Sequence, residues 1–376
     1  MKIPVAKPYM DSAEETAATE AIRSGWVTQG PKVAHFEALF AKYVGAAYAI
    51  AVTSCTTALH SAIAVLGIGL SKQDEVIVPS MSFIASANSI IHAGATPVFV
   101  DVDDTCNLDP SAIEPLITEN TKAIIVVHQM GMPAELDQIT AIAQRHKLLI
   151  IEDAACAIGS AYKGKRIGSH GNIACFSFHP RKIITTGEGG MVVTDNPIYA
   201  EHLRRFRHHG MSISDLERHS ADKVIIESYI DVGYNYRMTD IQAAIGICQM
   251  EKLPYIIQRR RDIAKLYNDS LSKSKYLRVP KEPDTVFHNY QSYWVEVLEN
   301  APIDRNSLME ALLQKGIATR AGIMAIHRQL CYSHYKQSLP NTERLTDNTL
   351  ILPLYPQMTD SEVRYVIDSI LLTMER

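Results

Sequence analysis

Five short apolar runs, Tyr48–Val52, Glu75–Pro79, Thr96–Asp101, Lys122–Val127 and Leu148–Glu152, alternate with amphipathic helical patterns. The spacing of Ala58, Leu59, Ala62, Ile63 and Leu66, and of Leu136, Ile139 and Ile142, puts apolar side chains on one face of a helix. Apolar strands joined by such helices suit a mainly parallel sheet covered on both sides, because each crossover carries the chain back over a face. The expected fold class is therefore α/β. In these sheets ligands gather beyond the carboxyl ends of the strands, so the residues there are the first candidates for function.

A chain of 376 residues can bury a large core, and two domains are expected. A net charge of -4 offers no general attraction to nucleic acid or to an anionic membrane. No apolar run is long enough to span a bilayer, and Met1-Lys2-Ile3-Pro4 does not begin a signal peptide. Six scattered cysteines without a CxxC pair suit reduced thiols better than disulfides or a metal site, so a cytoplasmic location and no metal are expected.

Four groups fall at strand ends. Thr53-Ser54-Cys55-Thr56-Thr57 joins a strand to a helix and is either a phosphate cradle or an ordinary Ser/Thr cap. Phe83, after the Glu75–Pro79 strand, is either a stacking platform or core. Asp153 ends a strand that should be buried, and a carboxylate there needs a cationic partner, either a protein Arg or a ligand nitrogen. The fourth group is Ser177 with Lys182. Ala174–Phe178 reads as a strand closed by Pro180, and Lys182 just beyond it is either a surface lysine or an amine that condenses with a carbonyl. Together the four suit pyridoxal phosphate, which needs an amine for its aldehyde, a carboxylate for its ring nitrogen, an aromatic face and donors for its phosphate.

The chain resembles the nucleotide-sugar aminotransferase branch of the fold type I pyridoxal-phosphate enzymes. The resemblance runs from Gly25-Trp26-Val27-Thr28-Gln29-Gly30-Pro31 to Leu352-Pro353-Leu354-Tyr355-Pro356. Its most specific parts are Glu152-Asp153-Ala154-Ala155, Ser177-Phe178-His179-Pro180-Arg181-Lys182 with Gly187-Glu188-Gly189-Gly190, and Gly233-Tyr234-Asn235-Tyr236-Arg237-Met238. The resemblance implies that Lys182 is the catalytic amine, that Asp153 pairs with the ring nitrogen and that Phe83 stacks on the ring. It assigns Thr56, Thr57 and Ser177 to the phosphate, with Asn235 reaching it from a neighbouring subunit of a homodimer. Thr28, Glu188 and His327 fall on the substrate side. Cys156 stands where the family commonly has Gln or His against the ring. The loop Thr319-Arg320-Ala321-Gly322-Ile323-Met324 also departs from the tyrosine- and proline-rich version and is expected to help choose the substrate.

The implied reaction moves an amino group from L-glutamate to a nucleotide-linked keto sugar, in making an amino sugar for a surface polysaccharide or a related glycan. A keto-cyclitol substrate, dehydration of the keto sugar and a non-catalytic regulator are the alternatives. Lys182 counts against dehydration, because that related branch carries His at the lysine position. The expected division is a large domain over residues 1–240 and a smaller α/β domain over 241–376. The second starts with a helix from Thr239 to about Asn268 that should kink at Pro254. Arg259-Arg260-Arg261 on that helix reads as a solvated face, or as a contact for nucleotide phosphates.

Overall fold

A computed structural model describes residues 2–213 and 222–375. Its centre is a seven-stranded sheet of β1 (Tyr48–Val52), β2 (Glu75–Pro79), β3 (Thr96–Val100), β4 (Thr121–Val127), β5 (Leu149–Asp153), β8 (Ile173–Ser177) and β9 (Gly190–Thr194). The strand order is β1-β9-β8-β5-β4-β2-β3, and β9 alone runs antiparallel to its neighbours. The hairpin β6 (Ala161–Tyr162) and β7 (Lys165–Arg166), between β5 and β8, forms a small sheet of order β11-β6-β7 with β11 (Val286–Phe287). The mainly parallel sheet expected from the apolar runs is present, with strand bounds within about one residue of those read from the sequence.

Alternation along the strands divides the core in two. Ala49 and Ala51 of β1 join Phe36 and Phe40 on one face, while Ile50 and Val52 join Leu59 and Ile63 on the other. Phe36 and Phe40 come from α2 (Pro31–Val44), and Leu59 and Ile63 come from α3 (Cys55–Val65). A further sheet of four strands has the order β10-β12-β14-β13, from β10 (Leu277–Arg278), β12 (Tyr293–Val297), β13 (Arg320–Ala321) and β14 (Thr349–Leu352). A third cluster, with Tyr267, Tyr293, Leu308, Leu350 and Val366, fills the space between that sheet and its helices.

One 32-residue helix, Asp240–Leu271, runs past Pro254 and packs against both bodies of the chain. Its arginine run is not a solvated face. Arg260 is 3% exposed and donates to the carbonyls of Tyr290 and Gln291 at 3.1 and 3.0 Å. Burial lowers its pKa to about 10. Arg259 binds Asp360 at 2.8 Å, and Arg261 binds Glu282 at 2.8 Å. The helix packs against the helices Ser12–Arg23, Pro31–Val44 and Asp360–Met374, so charges that would be solvated on an isolated amphipathic helix are taken up by carbonyls and acids of the neighbouring chain. No described helix is long and apolar enough to cross a membrane.

Candidate active site

The loop ends of β1, β2, β5 and β8 converge at one end of the large sheet. Gly190 explains how closely. It pairs with Val52 on one side and Ser177 on the other, and a Cβ there would lie 2.4 Å from the Ser54 carbonyl. Only glycine lets β9 pass this near the start of α3, which sets Ser177 beside the Thr53–Thr57 turn.

Ser54 is the cap of α3, and Thr57 completes a reciprocal capping box, with bonds of 3.2 and 3.0 Å between each hydroxyl and the other's backbone N–H. The cap reading and the cradle reading therefore coexist. The Thr57 hydroxyl is engaged within the turn, whereas the Thr56 hydroxyl and the backbone N–H groups of Cys55 and Thr56 have no partner among the described residues. Unpaired N–H groups at the positive end of an eleven-residue helix favour an anion.

Asp153 is 6% exposed at the end of β5. Its carboxylate accepts from the Ser86 hydroxyl at 2.7 Å and from the Ala155 N–H at 3.2 Å, and no cation pairs with it among the described residues. No protein Arg fills the role weighed in the sequence, which leaves a ligand nitrogen. Ser86, held in turn by Ser82 at 2.7 Å, was missed by sequence reasoning; a serine at the second position of a helix carries no distinctive signal. Phe83 is 59% exposed, so it is not core, and its ring is free to meet a ligand.

Lys182 is half-buried, and its Nζ donates to the Cys156 sulfur at 3.1 Å. Burial works against the ammonium, but Cys156, followed by Cys55 and Asp153, outweighs it and pushes the pKa up. The amine must therefore lose a proton before it can act as a nucleophile. Asn289 was also missed. Its Nδ2 donates to the carbonyls of Cys156 and Ile158 at 2.8 and 2.9 Å, and Gln291 donates to the Arg181 carbonyl at 2.9 Å. The chain entering β12 is thus laced to the Lys182 loop.

The other expected residues are spread more widely. Asp240 takes the backbone N–H groups of Gly30, Lys32 and Val33 at 2.8, 3.0 and 3.0 Å, and its own N–H donates to the Thr28 carbonyl at 2.9 Å. This pins the Thr28 loop to the start of the long helix. Glu188 arrives at the same place, its carbonyl accepting from Gln242 at 2.8 Å, and both side chains are exposed. His327 is 6% exposed, with Nδ1 2.7 Å from the Ser80 hydroxyl and Nε2 3.5 Å from Glu343. Ser80 also accepts the His327 N–H at 3.1 Å, so the histidine clamps the segment after β2. Asn235 is exposed on the stretch after residue 222, next to Tyr236, whose carbonyl accepts from Thr53.

An amine, a buried carboxylate without a cation, an exposed ring and unpaired helix N–H groups meet at one sheet end. These residues fit pyridoxal phosphate. The chain also matches the model of the DegT/DnrJ/EryC1/StrS aminotransferase family over residues 8–371. It is 40% identical to the uncharacterized protein MJ1066 of Methanocaldococcus jannaschii over 374 residues, covering 98% of this chain and 96% of that one. Its fold is similar to Helicobacter pylori PseC, an aminotransferase involved in the biosynthesis of pseudoaminic acid, with TM-score 0.93 and 28% identity over 100% of both chains. It is similar too to the putative sugar aminotransferase Spr1654 of Streptococcus pneumoniae in its PMP form, with TM-score 0.93 and 29% identity over 100% of this chain and 98% of that one. The chain therefore belongs to the DegT/DnrJ/EryC1/StrS aminotransferase family, whose members are pyridoxal-phosphate-dependent enzymes of fold type I.

Proposed function

We propose that this chain moves an amino group from L-glutamate to a nucleotide-linked keto sugar, in making an amino sugar for a surface polysaccharide or a related glycan. The observation that carries the reading is Asp153, a buried carboxylate without a cation at the sheet end that also bears Lys182. The sugar substrate is supported by the likeness to PseC and Spr1654.

Bound pyridoxal phosphate supplies an electron sink for the carbanion left when the donor's α-carbon loses its proton. Lys182 would hold the cofactor's aldehyde and, as the free amine, would move the proton at that α-carbon as base and then acid. Asp153 would keep the ring nitrogen protonated, and Ser86 holds the carboxylate in place. Phe83 would stack on the ring with Cys156 against it, and Thr56, Thr57 and Ser177 would take the phosphate. Thr28, Glu188 and His327 shape the side where the sugar enters.

The working unit is a homodimer in which Asn235 reaches the partner's phosphate. Support comes from the exposed apolar side chains on the same stretch of chain, Val224 at 92% and Val232 at 89%. We place the boundary between the two domains at the start of the long helix, as residues 1–240 and 241–376, and the enzyme in the cytoplasm. Lys182→Ala should abolish both the visible absorbance of the cofactor-bound protein and amino transfer. Near-normal turnover in that variant would sink the assignment. A panel of nucleotide keto sugars with glutamate, read by mass spectrometry and NMR, identifies the acceptor.

A further inference from the structure

We propose that Cys156 and Lys182 form a peroxide-sensitive modification site, in which oxidation joins Sγ to Nζ and caps the amine. The inference rests on the reading of Lys182 as the cofactor's amine, but the bond itself needs neither donor nor sugar.

The pair is held from both sides. Lys182 Nζ lies 3.1 Å from the Cys156 sulfur, and no acid pairs with it among the described residues. Other lysines meet carboxylates: Lys163 meets Asp137, Lys252 meets Glu14 and Lys265 meets Asp269. Asn289 holds the Cys156 carbonyl at 2.8 Å, and the Ala155 N–H just before it donates to Asp153 at 3.2 Å. The Lys182 N–H donates to the His179 carbonyl at 2.8 Å, and Gln291 holds the Arg181 carbonyl at 2.9 Å. Asn289 and Gln291 belong to one short stretch, so the same segment fixes both backbones and keeps sulfur beside nitrogen.

The cysteine is also placed to react. Reactive cysteines are partly exposed and lie beside a cation, whereas buried structural ones are inert. Cys156 is half-buried and touches the Lys182 amine. Cys106 and Cys175 are fully buried, and burial pushes both thiols up. The sulfurs of Cys55 and Cys248 meet the backbone carbonyls of Cys175 and Ala13, each at 3.7 Å. Among the described residues no other cysteine meets an amine.

The chemistry balances with hydrogen peroxide as the oxidant. The Cys156 thiolate attacks peroxide, the O–O bond breaks, and sulfur becomes a sulfenic acid as hydroxide leaves. Sulfur gives up two electrons and peroxide takes them. The hydroxide accepts a proton from the Lys182 ammonium and becomes water. Burial disfavours that ammonium, and Cys156 is the main group that offsets it. A neutral sulfenic acid removes this offset, so oxidation itself frees the amine. The amine then attacks Sγ: the S–N bond forms, the S–O bond breaks and a second water leaves. A thiol reverses the link by attacking Sγ and releasing the amine, and a second thiol clears the mixed disulfide. Pyridoxal phosphate held through its aldehyde occupies the amine and blocks the link, whereas pyridoxamine phosphate leaves the amine free.

Peptide mass spectrometry of the loaded enzyme tests this. Protein carrying pyridoxamine phosphate is treated with hydrogen peroxide and digested without reductant. A peptide joining Cys156 to Lys182, two hydrogens lighter than its separate halves, is expected, and dithiothreitol should erase it. Protein carrying pyridoxal phosphate should remain mostly unlinked. After peroxide, added pyridoxal phosphate should fail to restore the visible absorbance of the wild type until dithiothreitol is supplied. Cys156→Ser with wild-type circular dichroism should recover that absorbance at once. Sulfinic acid on Cys156 with Lys182 unmodified overturns the proposal. So does a Cys55–Cys156 disulfide, and so does a bridge that keeps an oxygen between sulfur and nitrogen. Equal linking in both loaded forms overturns the protection by the aldehyde. The wild-type peptide map needs no variant and no turnover, so it judges the bond separately from the amino-transfer reading, which the Lys182→Ala result judges.

Discussion

Replacing His128 by leucine should destabilise the chain by about 3–5 kcal/mol, through a buried carboxylate directly behind the site. Glu152 and His128 are both fully buried, with Nε2 2.9 Å from Oε2. His128 Nδ1 accepts the Ala134 N–H at 3.1 Å, so the ring proton sits on Nε2 and is donated to Glu152. Asn172 supplies the second donor, at 2.9 Å. Burial alone would raise the Glu152 pKa, but His128 and then Asn172 hold it below the ordinary 4.5. Leucine removes a charge-assisted hydrogen bond worth about 1.5–3 kcal/mol and leaves the Ala134 N–H unpaired at about 1–3 kcal/mol more. The double variant His128→Leu with Glu152→Leu should be at least about 2 kcal/mol more stable than the two single losses predict, because no carboxylate remains to be stranded. A group with a depressed folded pKa stabilises above its unfolded pKa and loses that contribution as pH falls through the folded value. The gap between wild type and His128→Leu should therefore be widest at neutral pH and shrink below about pH 4.5. Urea titrations followed by tryptophan fluorescence read both effects. Additive single losses with a pH-independent gap would refute the argument.

Three other outcomes are expected. Burial, then His92, lowers His60 from 6.5 to about 4, so its neutral form stabilises the fold fully above pH 6.5 and progressively less down to about pH 4. That displacement is worth roughly 3 kcal/mol, and His60→Phe should flatten the fall in urea midpoint between pH 6.5 and 4.5; an unchanged slope rejects it. Gly190→Ala should cost at least about 1–3 kcal/mol and lower cofactor affinity, because its Cβ would meet the Ser54 carbonyl at 2.4 Å, as thermal melts and absorbance titration will show. Ile226→Glu with Val232→Glu, on side chains 89% exposed in the single chain, should convert a dimer to monomers by light scattering; a wild-type monomer contradicts the dimer.

What could be read from the sequence follows what each residue depends on. Lys182, Asp153, Ser177 and Thr56 are legible as candidates because strand ends are visible as the point where an apolar run stops, and the ligand end of a parallel sheet follows from topology. The sequence also signalled the need to satisfy Asp153, though not by what, since Ser86 reaches it through a helix turn. Misreadings came where a residue's surroundings are supplied by distant chain. The arginine run looked solvated because helical periodicity describes one helix and not the loops and acids that meet it, Tyr290, Gln291, Glu282 and Asp360. The surroundings of His327 show the same dependence: its partners Ser80 and Glu343 lie 247 residues before it and 16 after it, so the packing that holds its ring cannot be read from its own stretch.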